Sequence, residues 1–382
     1  MESASISHWV VIFAVGGAQS LLLALALWKR PVNVAANRVL AAWLGLVAFD
    51  LGVKAAFLAA PAPGLFRVLL FVGVFPFVYG SFFYLYVRTL TTARRLGWRD
   101  GVHLAGFAVA LAVGLPTLLA GPDANLANMQ AWLGRRLPPP VPWYSAFLYA
   151  WSLSYVAAAV WRVLGYRREV RERRSDADRV SLRWVMVMAL GQVLIWAIAV
   201  VQDYVRLAGI GYFTIYGAVA VWACVLGYLG LMQATVAGDG PADTADAAAP
   251  SGVSDGAPAT ASAQDEDARL PEVQARLAGL MEDEAMYLAP ALTIAQVARR
   301  SGYPEYLVSA AINRGFGCTF WDYINRQRIA AACRCLADAA DARTILDIAY
   351  ACGFTSKSTF NSAFKRETGH TPSAWRARQA AA

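Results

Sequence analysis

Two copies of one spacing stand near the C-terminus of this chain. In the first, Ile294, Val297 and Ala298 fall at i, i+3 and i+4; Gly302-Tyr303 follows, and then Val308 and Ile312, four apart. In the second, Ile345, Ile348 and Ala349 repeat the face, Gly353-Phe354 follows, and Phe360 and Phe364 take the places of Val308 and Ile312. A short apolar helix, a Gly-aromatic turn and a second short helix make a helix-turn-helix, whose second helix enters the DNA major groove. The motifs run over about 293–313 and 344–367. The chemistry they offer is non-covalent: hydrogen bonds to base edges and ion pairs to phosphate. Other chemistries are poorly supplied. The chain has three His (His8, His103, His370) and no nucleophile motif, metal-ligand spacing or phosphate loop. Cys333 and Cys335 are spaced C-x-C but have no His or Cys partners at zinc-finger spacing. The expectation is therefore no enzyme, no metal and no cofactor.

Several elements must hold these motifs in place. Thr293 with Gln296, and Thr344 with Asp347, have the spacing of capping boxes that start the first helix of each motif. Thr319 to Ala337 predicts a longer helix between the copies, with Phe320, Tyr323, Ile324, Ile329, Ala332, Cys335 and Leu336 turned inward. Gly369 stops the second motif, and Thr371-Pro372 opens a last helix that holds Trp375. Upstream, the apolar residues 270, 273, 277, 280, 281 and 288 give an amphipathic helix over Leu270 to Leu288. From Leu292 onward twelve Lys and Arg stand against six Asp and Glu, a surplus that suits a phosphate-facing surface.

Arg328-Ile329 with Ala332 and Leu336, Asp347-Ile348-Ala349 with Gly353-Phe354, Phe360, Phe364-Lys365, and Gly369-His-Thr-Pro372 with Trp375-Arg376 follow one another in a fixed order. This string resembles the AraC/XylS family of transcriptional regulators over about residues 292–378. The resemblance implies two tandem motifs that read successive major-groove turns on one face of double-stranded DNA, and some members carry this domain behind several membrane spans. Carried over, it aims Lys357, Ser358, Asn361 and Ser362 at bases and gives phosphate to Thr344, Lys365 and Arg366. Asn can bond adenine bidentately, and Lys suits the guanine acceptors. In the first motif it aims Tyr306, Ser309, Ala310 and Asn313 at the groove. There this chain departs from the pattern. Pro304 stands where a Ser cap is customary, Glu305 adds negative charge, and no Lys or Arg precedes Arg314.

The rest of the chain has a different composition. Of the 382 residues 58% are hydrophobic and 16% charged, and the mean hydropathy is +0.42. Soluble domains carry about a quarter charged residues. Seven apolar stretches approach the ~20 residues that cross a bilayer: Trp9 to Trp28, Val39 to Ala60, Val68 to Val87, Val102 to Leu119, Val141 to Val160, Trp184 to Gln202 and Ile210 to Met232. Met1 to His8 has no basic leader of a cleavable signal. Within these stretches Asp50 and Lys54 lie four apart on one helical face and predict a pair. Gln192, Gln202 and Asp203 are further interior polar residues, and Trp143, Tyr144, Phe147, Tyr149 and Trp151 read as an aromatic belt with packing. The Arg run 167 to 174 reads as an anchor on lipid. Residues 237–266 are almost all Ala, Gly, Pro, Ser, Thr and acidic residues, the composition of a disordered linker.

The expected fold class is thus all-α: a seven-helix transmembrane bundle over residues 1–236, the linker 237–266, and a cytoplasmic tandem helix-turn-helix domain over 267–382. The expected function is a membrane-bound one-component transcriptional regulator whose partners are DNA, the lipid bilayer and an unidentified signal or ligand; a homodimer is compatible with the sequence. Two alternatives stand beside it: a transporter or membrane enzyme with a regulatory DNA-binding tail, and a passive anchor from which proteolysis frees the reader.

Loop charge sets the expected orientation in the cell inner membrane. Lys29, Arg30 and Arg38 lie in one loop, Arg88, Arg94, Arg95 and Arg99 in another, and eight Arg between 161 and 183. The alternate loops hold only Arg67, then Arg135 and Arg136, then Arg206. The positive-inside rule puts the Arg-rich set in the cytoplasm, the N-terminus outside and the C-terminus inside. Phosphatase fused at residue 128 should then be active, and a fluorescent protein fused at residue 250 should fluoresce. Phosphatase activity at residue 250 would overturn both the orientation and the DNA-reading role.

Overall fold

A computed structural model of the chain describes residues 2–92, 96–134, 142–176, 182–205, 212–232, 263–338 and 340–380. They form sixteen α-helices and no β-strand among the described residues. The chain divides into two compact units: Met1–Leu164 with Leu182–Asp243, and Gly165–Ser181 with Thr244–Ala382.

The first unit contains α1 (Glu2–Trp28), α2 (Val34–Ala59), α3 (Pro63–Val72), α4 (Pro76–Thr92), α5 (Ala105–Leu118), α6 (Pro122–Leu133), α7 (Pro142–Arg173, through Leu164), α8 (Arg183–Tyr204) and α9 (Tyr212–Met232). Among the described residues six helices are long and apolar enough to cross a membrane, counting a 3-10 turn at Trp98–Leu104 with α5. The stretch expected over Val68 to Val87 is two helices, α3 and α4, bent by 42°; counted as one broken span they make a seventh. The break has a local cause. Pro76 has no N–H to continue the ladder from α3.

Helix α2 is the most enclosed. It packs against α1, α3, α4 and α9, and buries Trp43, Leu44, Leu51 and Phe57. Glycine permits some of the close approaches. A Cβ on Gly16 would lie 2.6 Å from that of Ala220, and one on Gly80 would lie 2.7 Å from the Ser152 carbonyl oxygen. Small residues at such crossings let helices pack by backbone contact where lipid offers no hydrophobic drive. Asp50 and Lys54, both wholly buried on α2, form an ion pair, as their spacing predicts. Tyr79 Oη donates to Asp50 Oδ2 at 3.2 Å, and the Lys54 ammonium lies 3.8 Å from the centre of the Tyr216 ring.

The second unit differs in extent from the sequence-based division. It takes in Gly165–Ser181, and its first C-terminal helix, α10 (Ala263–Glu282), starts four residues before Asp267. Most of the expected linker, 237–262, lies outside the described residues, as do Arg94, Arg95, Arg135, Arg136, Arg179 and Arg206. Helix α10 buries Leu270, Val273, Leu277, Leu280 and Met281, whereas Leu288, placed on the same face by sequence, lies in a 3-10 turn (Met286–Leu288) and is exposed. Helices α11 (Ile294–Ser301), α12 (Glu305–Ala310), α13 (Phe320–Ala337), α14 (Ile345–Ala351), α15 (Lys357–Thr368) and α16 (Pro372–Ala380) complete one core, in which Val297, Val308, Ile312, Ile324, Ile348, Phe360 and Phe364 are fully enclosed. Cys335, expected inside, is only half-buried; Cys352 is the buried thiol.

The Asp50–Lys54 pair gives a test. Removing one partner strands a charge in an apolar interior, a loss of about 3–5 kcal/mol, whereas removing both does not. Asp50→Ala should therefore lower the thermal midpoint of the nanodisc-embedded protein more than Asp50→Ala with Lys54→Ala. A double variant as damaged as the sum of the singles would show that the pair is not coupled.

Candidate nucleic-acid interface

The two motifs are built alike. Thr293 Oγ1 accepts from Gln296 N while Gln296 Oε1 accepts from Thr293 N at 2.9 Å, closing the capping box of α11. Thr344 and Asp347 do the same for α14. Gly302 (φ 82°) and Gly353 (φ 84°) both turn in the left-handed region that favours glycine. At Gly353 space matters as well, since a Cβ there would lie 2.6 Å from the Leu288 carbonyl oxygen.

The second helices diverge. Ser356 caps α15, accepting from Thr359 N at 3.1 Å, and α15 runs without interruption to Gly369 (φ 75°). It buries Phe360, Ala363 and Phe364; Lys357, Ser358, Asn361, Ser362, Lys365 and Arg366 are all exposed on its other side. Lys357 and Lys365 form no ion pair among the described residues. Arg366 is engaged: its guanidinium lies 4.4 Å from the centre of the Trp321 ring, 3.2 Å from Glu367 and 3.5 Å from Asp322. Thr344 donates its hydroxyl to Asp347 Oδ2 at 2.6 Å and its N–H to the same oxygen at 3.2 Å, so both its donors serve the cap.

In the first motif α12 has no side-chain cap at Pro304, and after Ala310 it loosens into a π turn over Ala311–Gly315. Tyr306 and Asn313 are exposed, and Ser309 and Ala310 half-buried; Asn313 Nδ2 donates to Ser309 Oγ at 3.2 Å. Arg314, the first cation of this helix, is paired with Asp267 at 2.8 Å.

Arg328 was visible in the sequence only as part of the family string. In α13 it is wholly buried: its Nε donates to the Tyr287 carbonyl at 2.7 Å, and Nη2 donates to the Ala289 carbonyl at 2.8 Å and to Ser175 Oγ at 3.1 Å. Burial lowers its pKa to about 10, against the opposing pull of Asp176, so it stays charged at neutral pH. Ser175 N in turn donates to the Leu292 carbonyl at 2.9 Å, and Arg174 forms an isolated antiparallel bridge with Thr293. Arg171 stacks on Trp321 at 5.2 Å. The Arg run expected on lipid therefore has two members, Arg171 and Arg174, turned to this unit. Nothing in local sequence marks Ser175 as a partner of a helix more than a hundred residues away.

Arg328→Ala should strand two buried carbonyls and leave a cavity, a loss of about 3 kcal/mol or more. Ser175→Ala removes one of three acceptors and should cost about 1 kcal/mol. Hydrogen exchange at α13 and residues 286–288 in the whole protein reads both. Equal protection in the two variants would show that Arg328 is not the anchor.

Comparison with known proteins agrees with this geometry. A family model described as a helix-turn-helix domain matches residues 297–378. The chain is similar to the probable transcription factor PqrA of Proteus vulgaris, with 32% identity over 85 residues that cover 22% of this chain and 68% of that protein. No solved structure matches it. With the ordered string of residues, the paired motifs and this relative all falling on the same segment, the chain belongs to the AraC/XylS family of transcriptional regulators.

Proposed function

We propose that the chain is a membrane-bound one-component regulator: its apolar unit senses a cue, and its helix-turn-helix unit binds promoter DNA in the cytoplasm. The observation that carries the reading is the outer face of α15, where six polar or cationic side chains are exposed on a helix fixed from behind by Phe360 and Phe364, in the same chain as six helices apolar enough for a bilayer. Loop charge supports an outside N-terminus in the inner membrane. The cue has a covalent route to the reader. The chain leaves the first unit at Leu164, passes through Gly165–Ser181 of the second and returns at Leu182. Bonds to Arg328 and Leu292 tie that segment to the core that carries both motifs.

Within the reader we assign base contacts to Lys357, Ser358, Asn361 and Ser362 and phosphate contacts to Lys365 and Arg366. The free donors of Lys365 make it the stronger clamp; Arg366 must first release Asp322 and Glu367, and Thr344 contributes least because its donors are spent on its cap. In the first motif Tyr306, Ser309 and Asn313 form a weaker reading surface.

Base contacts discriminate sequence by about 1–3 kcal/mol each, while phosphate contacts weaken all sequences alike and set the salt dependence. The solubilised full chain can be titrated with its operator and with random DNA at several salt concentrations. Asn361→Ala should narrow the gap between the two DNAs at an unchanged salt slope. Lys365→Ala should weaken both and flatten the slope by about one unit. Tyr306→Ala should cost less specificity than Asn361→Ala; the reverse order in folded protein would overturn the ranking of the two motifs.

A further inference from the structure

We infer that the apolar unit holds a binding site for a small lipophilic ammonium ion, which gives the proposed sensor its ligand class and rests on that reading for its biological role. A cavity of about 330 Å³ lies among α2, α4, α7, α8 and α9, at the lower end of the about 300–1,000 Å³ that small-molecule sites occupy. Seven of its twenty described lining residues are aromatic, among them Trp43, Tyr149, Trp196, Tyr216 and Trp222, and among those described Asp203 alone has a formal charge. Aromatic walls with one carboxylate are the chemistry that recognises an ammonium carrying an apolar body: ring faces attract the cation, and the carboxylate, here exposed near the end of α8, balances its charge.

Three details support a cation here. The Lys54 ammonium already lies over the Tyr216 ring, so a face of one lining side chain meets a cation within the protein itself. Lys54 is matched by Asp50, so that pair brings no net charge to the walls. Asp203 has no cation partner among the described residues; its Oδ2 accepts from Tyr149 Oη at 2.6 Å, which orients the carboxylate.

Part of the lining can be placed along the helices. Tyr144 and Tyr149 belong to the first turns of α7, Trp196 and Asp203 to the last turns of α8, and Ile215 and Tyr216 to the first turn of α9. These are the helix ends opposite the Arg-rich connection between α7 and α8, hence the outer ends in the proposed topology. The site would take its ligand from outside the cell or from the outer leaflet.

Benzyltrimethylammonium is the probe, with neopentylbenzene, its carbon-for-nitrogen isostere, as the uncharged control. The full chain in phospholipid nanodiscs is titrated with each, read by tryptophan fluorescence and corrected with empty nanodiscs. Saturable binding of the cation is expected, at least ten-fold tighter than that of the isostere. Asp203→Asn keeps an acceptor for Tyr149 and should weaken the cation at least ten-fold while leaving the isostere unchanged. Unchanged binding of the isostere by the Asp203→Asn protein guards against misfolding as the cause of a loss. Equal affinity for the two probes, or an Asp203→Asn protein that binds the cation as before, would overturn the proposal. Operator affinity of the same samples, with and without probe, separates the two readings. Operator binding with no saturable cation binding removes the site and leaves the regulator. Cation binding by a chain that fails to bind DNA removes the regulator and leaves the site.

Discussion

The reader is organised around one buried cation. A guanidinium taken out of water must replace its hydration with fixed acceptors, and Arg328 finds them on two other stretches of chain: the carbonyls of Tyr287 and Ala289 between α10 and α11, and the hydroxyl of Ser175 after α7. Its charged group also lies 5.6 Å from the ring centre of Phe354, in the turn of the second motif. One side chain of the linking helix thus touches the approach to the first motif, the turn of the second and the segment continuous with α7. Because none of its acceptors can be exchanged for water at low cost, the relative placement of these parts is stiff.

The carbonyls that serve Arg328 come from an unusual piece of backbone. The 3-10 turn Met286–Leu288 is flanked by Ala285 (φ 46°) and Ala291 (φ 52°), both in the left-handed region that costs an L-residue about 1–2 kcal/mol. Such strain persists only where the surroundings over-determine it. Here Arg328 holds the turn from one side, and on another the Leu288 and Tyr287 carbonyls lie where a Cβ on residue 353 would stand. Glycine at 353 therefore answers two demands at once, a positive φ and the absence of a Cβ, and the second motif is seated on the strained turn that leads into the first.

Much of this was legible in the sequence where the cause is local. The capping boxes at Thr293 and Thr344, the turns at Gly302 and Gly353 and the inward faces of α11, α14 and α15 each depend on residues within one or two turns, and the Asp50–Lys54 pair on one helical spacing. What was not legible depends on distant backbone. The acceptors of Arg328 lie 39, 41 and 153 residues away, and two of them are carbonyls that every residue carries. Arg171 and Arg174 sit in a charge run that fits lipid equally well by composition, and their orientation comes only from packing. The α3–α4 bend, the exposure of Leu288 and the exchange of Cys335 for Cys352 are likewise tertiary outcomes. The cavity draws walls from five helices, so the aromatic residues that read as belt and packing divide. Trp143 is exposed, Phe147 and Trp151 pack by Phe77, and Tyr144 and Tyr149 reach the cavity.

The two motifs share a plan but not an electrostatic endowment, and the difference follows from how each second helix is held. In α15 a capped start and an unbroken ladder keep Lys357, Asn361 and Lys365 in register on one exposed side, with both lysines uncommitted within the described chain. In the first motif the helix starts uncapped at Pro304 and loosens to a π turn after six residues, which shifts the register of everything beyond Ala310. Its single nearby cation, Arg314, is drawn back to Asp267 of α10. A pairing so exposed is weak, worth at most about 1 kcal/mol, and phosphate is a competitor for the same guanidinium. In the first motif the cation after α12 is thus held by α10, whereas in the second Lys357 and Lys365 are uncommitted among the described residues and Arg366 is engaged by Asp322 and Glu367.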